Sequence, residues 1–434
     1  MHSVVHGPRR QRGAVIITVC LFLLFLLGFM GIAMDFGRLF IVKTELQTAM
    51  DSCALAAAQE LDFQASSIDR ARSAGKTAGN LNRVNLQSPT WDGKGQIVDG
   101  DISFRDADYA ATTNALLAKY AECQHTQPTV RLWLLQALGA FYDGNTSRFP
   151  ATHDVGARAV ATRGSAQTTC PLPIALKEAA GAAPPLYGYR QGQWVTVIGS
   201  RLAGAGEFGW YNLDGSTNAR QTRDQLEGGT CAIRVGDTLG TPGAKTSVDV
   251  VWNYRFGIYM NSGDPSVDHP DFSGYAYAAH NWPPGSDPAH PTESCCAFNG
   301  RIPPGAPASA ENFLAKRAEF ASYDNTGTSV QDGSLIVFNN ARFLPGGYRN
   351  LATAGTGGDH QRFGASRRVS TVPVINANNV VIDSLCIFML QPLAGPNNDA
   401  VIEIRGRASD PASPCTTAGL PGGTAGPLVP VLVR

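Results

Sequence analysis

The residues with the greatest capacity for chemistry lie in one loop, at positions 265–301. The side chains of this loop include donor types that zinc or a harder metal accepts. They are Asp268, His269, Asp271, His280, His290, Cys295 and Cys296. Their spacing is irregular, and many prolines and glycines separate them, so no regular element would bring the donors to one point. The sequence therefore predicts a surface loop there and no metal site.

Short motifs for catalysis or cofactor binding give no stronger signal. The patterns H-E-x-x-H, C-x-x-C and G-x-S-x-G do not occur. Gly204, Gly206 and Gly209 fit G-x-G-x-x-G, but a dinucleotide site needs a helix to begin at those glycines. The aromatic turn that follows, Trp210-Tyr211, is a poor helix start. We therefore expect no catalytic residue, no cofactor and no enzymatic activity.

The number of cysteines, nine, indicates disulfide bonds. Cys20 lies in an apolar run, and the other eight form an even set spread over the remaining chain. These candidate disulfide cysteines are Cys53, Cys123, Cys170, Cys231, Cys295, Cys296, Cys386 and Cys415. An even set suits disulfides in an oxidising compartment, with a connectivity that the sequence leaves open. The alternative is that several are small buried apolar side chains.

Composition narrows the class of protein further. The 434 residues include 35 basic and 35 acidic side chains, so the formal charge is zero. A nucleic-acid-binding protein usually carries a basic face, and we therefore expect no nucleic-acid partner. Charged residues make up only 16% of the chain, and 47 glycines and 27 prolines indicate many loops.

The element that must position everything else is an apolar run at residues 14–34. It contains no charge, and Arg9, Arg10 and Arg12 precede it while Asp35 ends it. About 20 apolar helical residues cross a bilayer, so this run predicts a single membrane span. A secretory signal peptide is the alternative, but its apolar core is shorter and a small-residue cleavage site follows it.

The charges around the span predict its orientation. The basic excess before the span stays in the cytoplasm, which places the short N-terminal tail inside. About 400 residues then lie outside the cytoplasm, the compartment that disulfides also favour.

Beyond the span, residues 35–61 continue as a helix with apolar positions at a spacing of three to four. The predicted fold class is α+β. It comprises a long N-terminal transmembrane helix extended by a stalk helix, a small α/β segment, and a mostly β, loop-rich exported region. We expect these parts at residues 1–62, 63–165 and 166–434. The alanine-rich face of the stalk permits close packing with another helix, and a solvated single stalk is the alternative.

Local patterns predict the later elements. Helices are expected at residues 68–83, 107–121 and 310–320, and strands at 96–98, 101–104 and 157–163. Further strands are expected at residues 173–176, 194–198, 231–235, 247–253, 334–338, 370–375, 380–390, 401–407 and 429–433. Pro430 restricts the last of these to a sheet edge.

The N-terminal stretch resembles the Tad module of TadE/TadG-like Flp-pilus assembly proteins. The residues that carry the resemblance are Arg12-Gly13, the apolar run, Asp35 with Gly37-Arg38-Leu39, Glu45-Leu46-Gln47, Asp51 and the alanine-rich end. They cover about 50 residues, and the remainder is similar to TadG-like proteins in layout only. The resemblance implies a non-enzymatic component of tight-adherence pilus assembly, anchored by one helix in the bacterial inner membrane with its bulk in the periplasm. Other pilus-assembly or envelope proteins are the implied partners.

One departure limits this resemblance. Some relatives have a prepilin-type cleavage site, in which a glutamate is the fifth residue after a glycine. Here Ala14 follows Gly13, and Thr18 stands at that fifth position. We therefore expect an anchored assembly or accessory protein and not a processed fibre subunit.

Three residues are candidates for helix packing and anchoring. Gly28 and Gly31 permit close approach of another helix in lipid. Asp35 has three alternative roles: pairing with a partner's cation, pairing with a neighbouring helix end, or simply ending the apolar run.

An alternative function is an anchored extracytoplasmic binding or adhesion module outside any pilus system. It would use aromatic side chains of the exported loops as a ligand surface. These are Trp194, Trp210, Tyr211, Trp252, Tyr254, Tyr275, Tyr277 and Trp282.

Overall fold

The structure is a computed structural model of the chain. It describes residues 12–135, 150–198, 209–216, 218–228, 232–240, 242–243, 248–257, 259, 263–271, 362–390, 393 and 400–433. The chain divides into two compact units, and each is described by itself. Unit 1 comprises residues 1–163 and 430–434, and unit 2 comprises residues 164–429.

The described helices and strands are numbered here in chain order. The helices are α1 (Arg12–Gln59), α2 (Ser67–Asn80), α3 (Ala219–Leu226), α4 (Asp249–Tyr254) and α5 (Pro265–Asp268). The strands are β1 (Ile102–Arg105), β2 (Tyr120–Arg131), β3 (Thr152–Ser165), β4 (Leu176–Lys177), β5 (Trp194–Ile198), β6 (Val369–Ile375), β7 (Val381–Met389), β8 (Ala400–Arg407) and β9 (Leu428–Leu432). Two short 3-10 turns lie at Trp91–Gly93 and Asp99–Asp101.

Unit 1 packs two helices on one face of a sheet. Strands β1 and β2 pair antiparallel, as do β2 and β3, and the sheet order is β1-β2-β3-β9. In its core, apolar residues of the C-terminal half of α1, including Leu46 and Met50, pack against apolar residues of the sheet, including Phe104. This core buries the stripe of α1 that the spacing of apolar residues predicts.

Unit 2 contains a five-stranded sheet in the order β4-β6-β7-β8-β5. Strand β4 runs parallel to β6, and the remaining pairs are antiparallel. Its core contains the T-shaped pair Trp210 and Trp252. The buried Arg368 guanidinium lies 4.5 Å from the ring of Phe256 and 4.6 Å from that of Phe388. These aromatic faces stabilise a cation that burial removes from water.

The α+β fold class is confirmed, because a long apolar N-terminal helix is followed by further helices and two sheets. The helices predicted for residues 35–61 and 68–83 are present, and so are the strands predicted for residues 101–104, 157–163, 194–198, 370–375, 380–390 and 401–407. Strand β9 lies at a sheet edge, as Pro430 predicts. The division into residues 1–62, 63–165 and 166–434 stays a prediction.

Other predictions about local structure are wrong. Residues 107–121 do not form a helix, because the Asp106 carboxylate accepts the backbone N–H groups of Asp108 and Ala110 and closes a turn there. Residues 96–98 form no strand. Residues 247–253 were predicted as a strand, but α4 occupies most of them, with Trp252 buried in the core. Successive residues of this short helix are buried, including Val251, Trp252 and Tyr254. The sequence therefore shows no 3.6-residue spacing of apolar positions that would indicate a helix.

Two further strand predictions are only partly matched by the structure. Only Leu176 of residues 173–176 joins a strand, and the described part of residues 231–235 forms an isolated bridge at Ile233. Helical structure in unit 2 includes α3, α4 and α5, where the sequence indicated almost none. The strand predicted at residues 334–338 and the helix predicted at 310–320 lie outside the described residues.

Candidate functional site: the N-terminal helix and the strand end at Asp35

The N-terminal half of α1 exposes its apolar side chains. From Val15 to Met34 the large apolar residues are exposed, apart from the half-buried Ile32. By length and composition, the helix from Val15 to Gln59 could cross a membrane. Gly28 lies in this exposed half and is itself partly exposed. Helices that are apolar on all faces are found inside large protein cores or in lipid.

Asp35 closes the exposed half, and its carboxylate contacts a distant part of the chain. Its oxygens accept backbone N–H groups from Trp133 at 3.2 Å, Leu134 at 2.8 Å and Leu135 at 2.6 Å. Residues 133–135 begin a helical turn, where free N–H groups favour a negative charge. The Asp35 carboxylate therefore contacts a helical turn of its own chain, and its role in anchoring or packing stays a prediction.

Two neighbours of Asp35 on the same helix contact the same turn. A Cβ atom added at Gly31 would lie 3.1 Å from the Cβ atom of Leu134, so this glycine permits close approach within the chain. The Arg38 guanidinium lies 4.4 Å from the ring centroid of Trp133. Gly31, Asp35 and Arg38 are spaced by four and three residues, which places them on one face of α1.

Glu45, ten residues after Asp35 on α1, makes a second carboxylate contact with backbone N–H groups. Its oxygens accept the backbone N–H groups of Leu86 at 2.9 Å and Gln87 at 3.1 Å, and the Gln87 side-chain amide at 2.8 Å. Asn85, Leu86 and Gln87 all have positive φ angles near 60°. L-residues rarely adopt this conformation, so the Glu45 carboxylate stabilises a strained turn.

Polar side chains of α1 also bind the backbone of β3. The Lys43 ammonium donates to the carbonyl of Gly156, and the Gln47 amide donates to the carbonyl of Arg158 at 2.9 Å. The Gln47 amide also donates to the Asp51 carboxylate at 2.8 Å. The polar residues that resemble the Tad pattern therefore contact mainly main-chain atoms of the folded unit.

The alanine-rich face of α1 is covered inside unit 1. Gly75 and Gly79 of α2 lie against it: added Cβ atoms would come within 3.2 Å of Ala57 Cβ and 3.1 Å of Cys53 Cβ respectively. Glycines four residues apart let two helix backbones approach closely. The predicted close packing with another helix occurs, and the other helix belongs to the same unit.

Disulfides are confirmed in the chain. Cys53 of α1 is bonded to Cys123 of β2, and Cys386 of β7 is bonded to Cys415. Cys170 is disulfide-bonded as well. Cys20 is a free, exposed thiol in the apolar half of α1. The remaining candidates, Cys231, Cys295 and Cys296, lie outside the described residues.

Four of the eight aromatic residues considered as a ligand surface are core residues. Trp210, Tyr211, Trp252 and Tyr254 are all buried in unit 2. Tyr275, Tyr277 and Trp282 lie outside the described residues. The expectation of an exposed aromatic surface is therefore wrong for these four residues.

The described members of the loop cluster serve the fold. Asp271 accepts the backbone N–H groups of Arg367 at 2.8 Å and Arg368 at 3.1 Å, and His269 Nδ1 lies 3.2 Å from the Phe363 carbonyl. Within the described ranges, no group of three His, Cys, Asp or Glu side chains is arranged to hold a metal. His280, His290, Cys295 and Cys296 fall outside those ranges.

Sequence reasoning missed Trp133 and the glycines of α2. The segment around Trp133 is apolar, but nothing local to it indicates that its backbone binds Asp35. Gly75 and Gly79 carry a usable signal, because a G-x-x-x-G pattern stands in an amphipathic helix that follows an alanine-rich one.

Comparison with known proteins identifies only the N-terminal element. Residues 13–60 match the family model Tad, described as Flp pilus-assembly TadE/G-like. No curated protein matches the chain, and no solved structure does. The match coincides with α1 and includes Asp35, Arg38 and Glu45. Residues 13–60 are therefore similar to the Tad segment of TadE/G-like Flp pilus-assembly proteins.

Proposed function

We propose that this chain is a non-enzymatic, membrane-anchored component of a Flp tight-adherence pilus-assembly system, TadG-like in layout. The observation that carries the proposal is the coincidence of the Tad match at residues 13–60 with the apolar helix from Val15 to Gln59. One element thereby supports both the pilus-assembly role and the anchor.

The exposed apolar half of α1 supports the anchor. Large apolar side chains that face water on every side of a helix carry a free-energy cost of about 25 cal/mol per Å². A bilayer removes that cost along the whole segment. Arg9, Arg10 and Arg12 before the apolar run support a cytoplasmic N-terminus, and the disulfides support an oxidising compartment for the rest. The chain is accordingly a single-pass protein of the bacterial inner membrane with its bulk in the periplasm.

The contacts of α1 also bear on where partners bind. Its alanine-rich face is occupied by α2, and the Gly31 face by Leu134. Partner proteins of the pilus system therefore meet the exported units or the lipid-facing half around Gly28. Replacing Gly28 with Leu is expected to weaken co-purification with envelope partners while the exported units stay folded.

The decisive experiment combines a clean deletion with complementation. The deletion strain is scored for surface pili and adherence, and membranes are extracted with alkaline carbonate. Complementation uses the full chain, a variant with Leu23→Lys and Leu27→Lys, and a matched control with Leu23→Ile and Leu27→Ile. Each lysine near the centre of a span costs roughly 3 kcal/mol on insertion scales, so the first variant should leave the membrane fraction.

The outcomes separate the parts of the proposal. We expect the deletion to lose pili and adherence, the isoleucine variant to restore them, and the lysine variant to fail. Normal piliation and adherence without the chain would refute the pilus-assembly role. Restoration by a lysine variant that is soluble would refute the need for the anchor.

A further inference from the structure

A surface of apolar side chains surrounds α1 just beyond the predicted span. We call it the exit surface, and it consists of Phe36, Phe40, Ile41, Trp133 and Leu134. The exposed fractions of these residues are 50%, 70%, 48%, 63% and 42% respectively. Large apolar residues that cluster on the surface of a folded unit mark a contact with another molecule or a membrane.

The depth of this surface follows from helix geometry. Ile41 lies seven residues after Met34, which corresponds to roughly 10 Å along the helix axis. The headgroup layer of a bilayer extends about 5–8 Å beyond the hydrocarbon on each side. Phe36, Phe40 and Ile41 therefore lie at and just beyond the level of the headgroups when residues 14–34 cross the hydrocarbon.

Trp133 is fixed at the same level by two contacts with α1. Its backbone N–H donates to Asp35, and its ring lies 4.4 Å from the Arg38 guanidinium. Tryptophan prefers the boundary between lipid and water, where an apolar ring and a polar N–H group are both satisfied. The turn after β2 thus presents the residue type that this boundary favours, at the position of α1 where the boundary falls.

A shallow groove continues the surface between α1 and β3. It has a volume of about 300 Å³, and its lining includes the apolar side chains of Phe36, Phe40 and Val155. Lys43 lies at the same groove, and its ammonium binds the Gly156 carbonyl.

We propose that the exit surface seats unit 1 on the headgroup region of the membrane leaflet into which the span emerges. This inference rests on the proposed anchor, and it adds a second lipid contact through Trp133 and Leu134. The occupant is lipid because Phe36, Phe40 and Ile41 continue the exposed apolar half along α1, and the backbone of Trp133 and Leu134 is bound to α1 at Asp35. A protein partner of the same surface is an outcome that the experiment below distinguishes.

The test uses the purified full chain in lipid nanodiscs that contain phosphatidylethanolamine and phosphatidylglycerol. Tryptophan fluorescence is quenched with lipids brominated either near the headgroup end or near the methyl end of the acyl chain. We expect headgroup-end bromines to quench a fraction of the wild-type emission, and Trp133→Phe to lose most of that quenching. Unchanged quenching in Trp133→Phe would overturn the proposal.

A second variant separates this result from the anchor. Phe25→Trp in the Trp133→Phe background places a reporter near the middle of the span, where methyl-end bromines should quench it most. If that reporter is quenched while Trp133 is not, the anchor stands and the lipid seat is refuted. If neither is quenched, both proposals fail.

A photocrosslinking amino acid at Leu134 supplies an independent readout in native membranes. We expect its adduct to contain phospholipid. A protein adduct would assign the exit surface to a partner and overturn the lipid seat.

Discussion

The Asp35 carboxylate accepts the backbone N–H of Leu134 at 2.8 Å, although 99 residues separate them in sequence. Leu134 follows strand β2, and near the opposite end of that strand the disulfide between Cys53 and Cys123 joins α1 to β2. Strand β2 therefore runs antiparallel to α1 and is attached to it at both ends. A carboxylate holds the end near the predicted span, and a covalent bond holds the end away from it.

Loss of the Asp35 carboxylate should release the helical turn at residues 133–135, which follows β2. Asp35→Ala removes an acceptor of three N–H groups, and capping residues contribute about 1–2 kcal/mol. We expect amide exchange at residues 133–135 to accelerate by roughly 5–30-fold, measured by hydrogen exchange of the full chain in detergent. The exchange rate in Asp35→Asn should lie between those of the wild type and Asp35→Ala, because one neutral acceptor oxygen remains.

Asp108→Asn is the matched control for Asp35, since Asp108 is an exposed carboxylate of the same unit. It should leave exchange at residues 133–135 at the wild-type rate. Equal exchange in Asp35→Ala and the wild type would show that the cap contributes nothing measurable.

Removal of the disulfide in unit 1 should destabilise that unit alone. The bond joins residues 70 positions apart, and a loop of this length constrains the unfolded chain by roughly 4 kcal/mol in the chain-entropy account. We expect Cys53→Ala with Cys123→Ala to increase exchange across α2 and β2. Removing the pair Cys386 and Cys415 is the control, because it should change exchange in unit 2 instead. Identical exchange patterns in the two double variants would contradict this assignment.

The sequence predicts the parts of this fold whose signal is local. The uncharged run at residues 14–34 and the period of apolar residues after it predict α1, and the β-branched run at residues 380–390 predicts β7. The contact between Asp35 and residues 133–135 has no local signal, because the partner is a backbone group 98–100 residues away. Residues 107–121 show the opposite failure, in which hydrogen bonds from backbone N–H groups to the Asp106 carboxylate override a helical composition.

The two helices of unit 1 provide a test of close packing. Gly79→Ala would place a Cβ atom against the Ile97 side chain, 3.1 Å from Cys53 Cβ and 3.3 Å from the Ala49 carbonyl oxygen. The end of the Ile97 side chain can move, but the two α1 atoms cannot easily do so. Overpacking of this kind costs about 1–3 kcal/mol, which exceeds the gain of about 1 kcal/mol in helix propensity. We expect faster amide exchange in α2.

Gly37→Ala is the matched control for this substitution. Gly37 also lies within a helix, but an added Cβ atom there meets no other atom within 4 Å. Only the helix-propensity gain remains, so we expect α1 to be unchanged or stabilised by up to about 1 kcal/mol. Equal effects of the two substitutions on exchange would refute the packing account.

The ion cluster at Glu122 should make unit 1 sensitive to acid. Glu122 is buried on β2, with Arg105 Nε at 2.5 Å from one carboxylate oxygen and Arg158 Nε at 2.5 Å from the other. Burial by itself raises the pKa of Glu122, but the hydrogen bonds from Arg158 and Arg105 outweigh it and hold that pKa below its usual 4.5. At pH values between the lowered pKa of Glu122 and 4.5, the folded state therefore binds fewer protons than the unfolded state.

The sign of the effect follows directly. The stabilisation from Glu122 is complete above about pH 4.5, the value for the unfolded chain, and is lost as the pH falls through the lower folded value. Glu122→Gln removes the titrating group. Unit 1 of this variant should therefore be less stable than that of the wild type near neutral pH, and its stability should fall less steeply below pH 4.5. Amide exchange of β2 measured from neutral to acidic pH, corrected for the intrinsic rates, reports the difference. Asp108→Asn should keep the wild-type profile, and a Glu122→Gln profile parallel to that of the wild type would show that this carboxylate does not control acid stability.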